Sequence, residues 1–433
     1  MIENKRDTGL VRAVGPWTLA AGMVNMIVGA AIFTIPGELA AALGQYAPLA
    51  FLFCAIAVGC VAICFAEGGS RIPTSGGPYG TIEAVFGPLV GAVVGTLFWV
   101  GNVLSAGAVA AALANLVASP VSVHLATMVR VVVIIGVVGG VGLVNISSVA
   151  HGARLAAVTT VLKLVPLVVF VIVGAFALQG GNFTRAVGPG TGDLGRALIP
   201  ALFAFIGAET PLGASGEVSN PARSIPRALA ITMLGVALLY IAVQIVAQGI
   251  LGPALAHSSA PLADAMGRVS PALRWLMLAC GALSMFGWIC SDTVGSPRIL
   301  FAFARDGLLP AVLGRLHARN HTPYVAICCY CAAAIGLALT GTFAELLVLS
   351  TLPVAVLYLV GCVAAWVAAR RGVAVTGEPL NFPLLGAASV VGVASMLFLI
   401  TLARREEILA LAGLMVASTV VYGLLRWRSP VEA

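Results

Sequence analysis

Apolar residues run along this chain in long, nearly unbroken stretches with short polar punctuation. Such stretches fall near 17–41, 47–66, 87–117, 124–145, 155–178, 197–216, 228–251, 273–297, 322–341, 343–368, 380–402 and 406–425. A helix needs about 20 apolar residues to cross a bilayer. Twelve runs of this length predict twelve transmembrane helices. A membrane β-barrel would instead show segments of about ten residues with alternating polarity, and none is visible. The expected class is therefore an all-α integral membrane protein.

Composition strengthens this reading. Of 433 residues, 9% are charged and 60% hydrophobic, against roughly 25% charged in an ordinary soluble domain. Mean hydropathy is +1.07. So few charges cannot cover a water-facing surface of this size, so the lipid bilayer is the expected surroundings. This excludes a cytosolic enzyme, a secreted domain and a nucleic-acid partner, despite a net charge of +7. The first 15 residues are polar and the run after them is too long for a signal h-region, so no cleavable leader is expected.

The positive charge sorts by side. With the N-terminus inside, fifteen Lys and Arg fall on one face and six on the other, with Arg130 and Lys163 inside runs. The positive-inside bias then puts both termini in the cytoplasm of a cell (cytoplasmic) membrane protein. All nine cysteines lie in apolar runs, and Cys328-Cys329-Tyr330-Cys331 lacks ligand spacing and a His partner, so no metal or cofactor is expected. The five histidines sit at or near loops, and no catalytic constellation appears, which argues against an enzyme.

Two runs carry helix-breaking residues where a continuous helix would be expected. The first reads IVGAAIFTIPG, with Gly29, Pro36 and Gly37; the sixth reads FIGAETPLGASGE, with Gly207, Pro211, Gly213 and Gly216. Each opens a set of five runs, one entering from each side, so the two sets form an inverted repeat. Paired interruptions of this kind point to a transporter binding site. A break frees amides on one half-helix and carbonyls on the other. Amides and a positive dipole end suit a carboxylate, and carbonyls suit an ammonium group. Two facing breaks would make a receptor for an α-amino acid or amine.

Four blocks then carry a family resemblance. IVGAAIFTIPG, AEGGSRIPTSGGPYG (66–80), FAFIGAETPLGASGEVSNPARSIPRAL (203–229) and SPRILFAFARDGLLP (296–310) occur in order. Together they resemble the amino acid–polyamine–organocation transporter superfamily over nearly the full length. FWVGN resembles a motif of its basic amino acid and polyamine antiporters. The resemblance implies an inverted 5+5 helix fold of leucine-transporter type, with helices one and six broken and two helices added. The expected divisions are 1–16, 17–179, 197–369, 380–425 and 426–433. Ala30 and Ala31 replace the Ser and second Gly of the family's first-helix signature.

The expected substrate contacts are Ile27, Gly29, Ala30, Ala31 and Ile32 at the first break. Phe203, Ile206, Gly207, Ala208 and Glu209 are expected at the second, with Asn102 from helix three. Phe33 and Trp288 are further aromatic candidates. Ionisable residues at membrane depth are costly and therefore functional candidates. Lys163 lies nine residues after Arg154, about 13 Å deeper; it resembles a helix-five lysine that stands in for sodium in sodium-independent members. Glu209, Asp292 and Ser291 complete the coupling candidates. Asp292 is expected either to pair with Lys163 or to line the inner vestibule, and Ser291 is an alternative partner for the lysine. Glu67, Arg71 and Glu217 are expected either as an inner gate with Arg223 or Arg298, or as solvated helix ends. The expected function is amino acid transport by alternating access, proton-coupled or by exchange and independent of sodium. An antiporter of cationic amino acids or polyamines is the alternative. A homo-oligomer is compatible with all of this.

Overall fold

The computed structural model describes residues 15–72, 78–119, 121–147, 149–183, 191–211, 218–305, 309–320, 322–374 and 379–428. Gly213, Gly216 and Glu217 lie outside them. The described residues form α-helices with short 3-10 turns and no β-sheet. In chain order these are α1 (Pro16–Ile27), α2 (Ala31–Leu43), α3 (Ala47–Arg71), α4 (Pro78–Phe86), α5 (Pro88–Ala118), α6 (Val123–Ser147), α7 (Val149–Ala175), α8 (Thr191–Phe203), α9 (Pro221–Leu251), α10 (Pro261–Val269), α11 (Pro271–Arg305), α12 (Tyr324–Thr340), α13 (Phe343–Arg370), α14 (Leu385–Thr401) and α15 (Arg405–Arg428).

Local chemistry sets many of these boundaries. Six helices (α1, α4, α5, α9, α10 and α11) begin on a proline. Proline's fixed φ and missing N–H fit the first helical position, where the amide has no partner anyway. Helix α13 starts instead with a capping box: the Thr342 hydroxyl accepts from the Glu345 amide, and the Glu345 carboxylate accepts from the Thr342 amide.

Seven helical stretches are long and apolar enough to cross a membrane: Ala31–Arg71, Pro88–Ala118, His124–Ser147, Ala222–His257, Pro271–Ala304, Phe343–Arg370 and Arg405–Leu424. Leu162–Ala175, Tyr324–Thr340 and Leu385–Thr401 are apolar but shorter. Eleven of the twelve apolar runs contain one of these stretches or a piece of one; the run at 197–216 holds instead the end of the 13-residue α8. Helices α4 and α10 fall where the hydrophobic pattern predicts only connections.

The centre is built by α1, α2, α3, α5, α8, α9, α11 and α13. Helix α13 packs on α5 and α3, α9 packs on α3 and α1, and α11 packs on α7 and α5. At the rim, α6 and α15 turn large apolar side chains outward, among them Leu125, Met128, Val132, Val416 and Val420. Apolar belts of this extent belong against hydrocarbon rather than water. In lipid the hydrophobic effect does not drive helices together, so packing and interhelical hydrogen bonds carry the association. Gln248 Nε2 donates to Gly44 O (2.8 Å) and Ser389 Oγ to Cys362 O (3.1 Å) in this role.

One charged pair is fully internal, which corrects the solvated-end reading. Glu67 and Arg71, one turn apart on α3, are 0% and 4% exposed. Arg71 Nε donates to Glu67 Oε1 (2.7 Å). Its Nη2 donates to Asn381 Oδ1 (2.8 Å). The Glu67 carboxylate also accepts from the amides of Asn381 (3.2 Å) and Phe382 (3.0 Å). Arg223, an expected partner, is exposed. The pair therefore clasps the strand of chain between α13 and α14. Both carboxylate oxygens and two of the three guanidinium nitrogens are hydrogen-bonded, and a buried ion pair depends on such added bonds. Arg71→Ala leaves the carboxylate buried and unpaired; a loss of about 3–5 kcal/mol is expected, read as a lower melting temperature in detergent. An unchanged melting temperature would contradict the clasp.

Candidate functional site

The site begins where α1 ends. Helix α1 stops at Ile27 and α2 starts at Ala31, with Val28, Gly29 and Ala30 between them in non-helical turns. Gly29 serves close approach: a β-carbon there would stand 2.9 Å from Trp288 Cδ1. Pro36, by contrast, lies inside α2 without ending it. The interruption predicted over Gly29, Pro36 and Gly37 is thus confined to the glycine end.

The carbonyls released at the end of α1 all find side-chain donors. Lys163 Nζ, on α7, donates to Asn25 O (2.5 Å) and Val28 O (2.6 Å). Trp288 Nε1, on α11, donates to Met26 O (2.7 Å). Tyr240 OH, on α9, donates to Ile27 O (3.1 Å). Ser284 Oγ lies 3.2 Å from both Val28 O and Gly29 O. The lysine is 0% exposed. Its charge faces the negative end of the α1 dipole, where a cation is stabilising. On the far side, the amides of Ala31 and Ile32 open α2 and have no helical partner; no backbone acceptor meets them among the described residues.

The second interruption follows Phe203, where α8 gives way to turns over 204–210. Gly207 has φ +127°, in the region that favours glycine. A β-carbon there would come within 2.9 Å of Met26 C and O. The two interruptions therefore touch, backbone to backbone. Glu209 sits behind this junction, 2% exposed. Its Oε2 accepts from the Gly207 amide (3.1 Å) and from Tyr358 OH of α13 (2.7 Å).

A cavity opens between the two breaks. Its volume is about 20 Å³. That leaves room for little more than one ordered water; an amino acid enters only if the walls part. Ile27, Gly29, Ala30, Ala31, Asn102, Phe203, Ile206 and Gly207, all expected from sequence, line it, as does Trp288. Ile32, Ala208, Glu209 and Phe33 do not line it. Met26, Ser105, Val109 and Thr210 line it without having been expected. For two of these the signal is helical spacing: Ser105 and Val109 lie three and seven residues after Asn102, on the same face of α5.

The expected Asp292–Lys163 pair does not form. Asp292 is 0% exposed, so it does not line a vestibule either. Its Oδ1 accepts from Ser296 Oγ (2.6 Å), and its Oδ2 accepts from Tyr330 OH of α12. Ser291 instead faces α1, where Asn25 Nδ2 donates to its hydroxyl (2.5 Å). Successive helix residues point about 100° apart, so neighbours 291 and 292 face different partners, α1 and α12. Ser291 meets the lysine's neighbourhood only through Asn25.

Gly207→Ala should force the two backbones apart and place alanine in a strained conformation worth about 1–3 kcal/mol. The expected result is a lower melting temperature in detergent; wild-type stability would contradict the junction.

The chain matches the amino acid permease family model over residues 14–424. An uncharacterised transporter of Mycobacterium tuberculosis is 27% identical over 322 residues, covering 67% of this chain and 66% of the relative. A branched-chain amino acid permease of Bacillus subtilis is 25% identical over 339 residues, 74% of this chain and 73% of that one. The Asc-type amino acid transporter 1 of Mus musculus is 29% identical over 357 residues, 78% and 65% respectively. The chain thus spans just under two thirds of the length of the first and third of these relatives. With the family model matching nearly the whole chain, this is a multi-pass membrane protein that belongs to the amino acid permease family.

Proposed function

We propose that the chain is a secondary active transporter that moves an amino acid across the cytoplasmic membrane by alternating access. Transport is proton-coupled or proceeds by exchange, and it does not need sodium. The observation that carries this reading is the meeting of the two interruptions at Met26 and Gly207, around a cavity lined by Ala31, where the amides that open α2 meet no backbone acceptor among the described residues. Those amides and the positive end of α2 suit an α-carboxylate. Carbonyl oxygens have two lone pairs, so Met26 O and Ile27 O can each accept from the α-ammonium while keeping their side-chain donors.

In this reading the chain has twelve spans with both termini cytoplasmic. Residues 17–179 form the first repeat and 197–369 its inverted copy, followed by two added spans in 380–425. The bundle of spans one, two, six and seven rocks against the rest. Lys163 links this bundle to the scaffold through Asn25 O and Val28 O. Its ammonium supplies the positive charge that a sodium ion would bring to the same carbonyls, which supports sodium independence. Loss of the Lys163 proton would remove the charge and weaken its hold on α1, freeing the bundle to move. Glu209 joins the second interruption to α13 through Gly207 N and Tyr358 OH, so its protonation state bears on the same junction.

Uptake into proteoliposomes is expected without sodium and with an inward proton gradient. Lys163→Ala should abolish gradient-driven uptake in protein that still elutes as a folded species. A strict sodium requirement, or unaltered proton-driven uptake by the variant, would overturn the role of Lys163.

Glu209→Gln should flatten the pH dependence of uptake. A retained wild-type pH profile would show that Glu209 does not titrate during transport.

A further inference from the structure

The cavity wall is chemically one-sided. Its polar side chains are the neutral Asn102 and Ser105 of α5 and Thr210 of the second interruption. Among the described residues no Asp, Glu, Lys, Arg or His lines it. Of the two ionisable groups beside the breaks, Lys163 turns its ammonium to the α1 carbonyls, and Glu209 turns Oε2 to Gly207 N and Tyr358 OH while its Oε1 is buried without a hydrogen-bond partner. A cationic side chain would therefore be desolvated without a counter-charge, which is prohibitive.

Two wall groups are left unsatisfied. Asn102 is 4% exposed, and its Nδ2 has no hydrogen-bond partner. Thr210 Oγ1 is buried and equally without a partner. Buried polar groups in native proteins are almost always bonded, so each exception needs a reason. A ligand that brings the missing partner supplies one. An amide N–H₂ asks for an acceptor; a threonine hydroxyl can donate or accept. One hydroxyl on the ligand can serve both.

We infer that this cavity selects small, uncharged amino acids whose side chain bears a hydroxyl, with serine and threonine as the type substrates. The inference rests on the transport reading above, in which the half-helix amides hold the α-carboxylate. The ligand hydroxyl accepts from Asn102 Nδ2 and pairs with Thr210 Oγ1. Val109, one turn beyond Ser105 on the same face of α5, offers apolar surface for a threonine methyl. Every amino acid must part these walls, and a long or aromatic side chain must displace more of Met26, Ile206 and Phe203 than serine or threonine does. Valine has nearly the shape of threonine but leaves the two wall groups unpaired, so it is the sharpest comparison. A site built to bond a hydroxyl rejects the analogue that lacks it far more strongly than one that only measures size.

The test uses the full chain in proteoliposomes, with radiolabelled serine, threonine, alanine, valine, leucine and arginine supplied separately. Threonine uptake is expected to exceed valine uptake at least about ten-fold, the scale of one unpaired buried donor. Arginine should be excluded. In Asn102→Ala and in Thr210→Val the threonine-to-valine ratio should fall toward one. Preferred uptake of leucine, valine or arginine, or an unchanged ratio in both variants, would overturn the selectivity while leaving amino acid transport intact. Transport of none of the six would instead sink the transport reading itself. Should the variants fail to fold, thermal stabilisation of the wild-type chain by threonine against valine decides the point; equal shifts count against the inference.

Discussion

A single ammonium group holds the centre of this molecule together. Interrupting a helix inside a bilayer leaves backbone carbonyls with no water to turn to, and each such group is costly. Lys163 meets two of them, Asn25 O and Val28 O. Trp288, Tyr240 and Ser284 satisfy the rest. These donors come from α7, α9 and α11, so the broken end of α1 becomes the point where three other helices are tied. The open backbone that a binding site requires is possible only because this ring of donors stabilises it. The lysine in turn is tolerated in the interior because the end of a helix dipole, with its carbonyls, replaces the water it lost.

The second interruption solves the opposite problem. Here an amide needs an acceptor, and Glu209 provides it to Gly207 while taking a hydrogen bond from Tyr358. A base on one side and an acid on the other thus brace two touching backbones from behind. The charges stay out of the cavity and the peptide groups face it. In the function proposed above, this arrangement would make the site electrostatically strong toward a zwitterion's main chain and neutral toward its side chain.

Much of this was legible from the hydrophobic pattern, because lipid imposes lengths and polarity that short peptides of sequence already display. The long helices, the break at Gly29 and the interior placement of Lys163 all follow from it. Pro36 misled, since proline in a membrane helix need not end it when the surroundings tolerate the lost hydrogen bond. The partner of Asp292 was not legible: Tyr330 lies on another helix, and only the rotation of α11 decides which neighbour a residue meets. Helices α4 and α10 were missed because nine residues are too few to leave a clear period. Met26 and Thr210 were missed because cavity walls are set by how two interruptions nest, which no local signal encodes.

The clasp of Glu67 and Arg71 has a mechanical meaning. It fastens one end of α3 to the short connection that leads into α14, through bonds that all sit within a few residues of Asn381. A rod pinned at one end sweeps mainly at the other. If α3 tilts during the cycle, its excursion is therefore greatest far from Arg71, and the pinned end acts as the fulcrum. In the alternating-access cycle proposed above, leverage of this kind would convert a small rearrangement beside the clasp into a wide displacement across the bilayer, with α14 as part of the pedestal on which that lever turns.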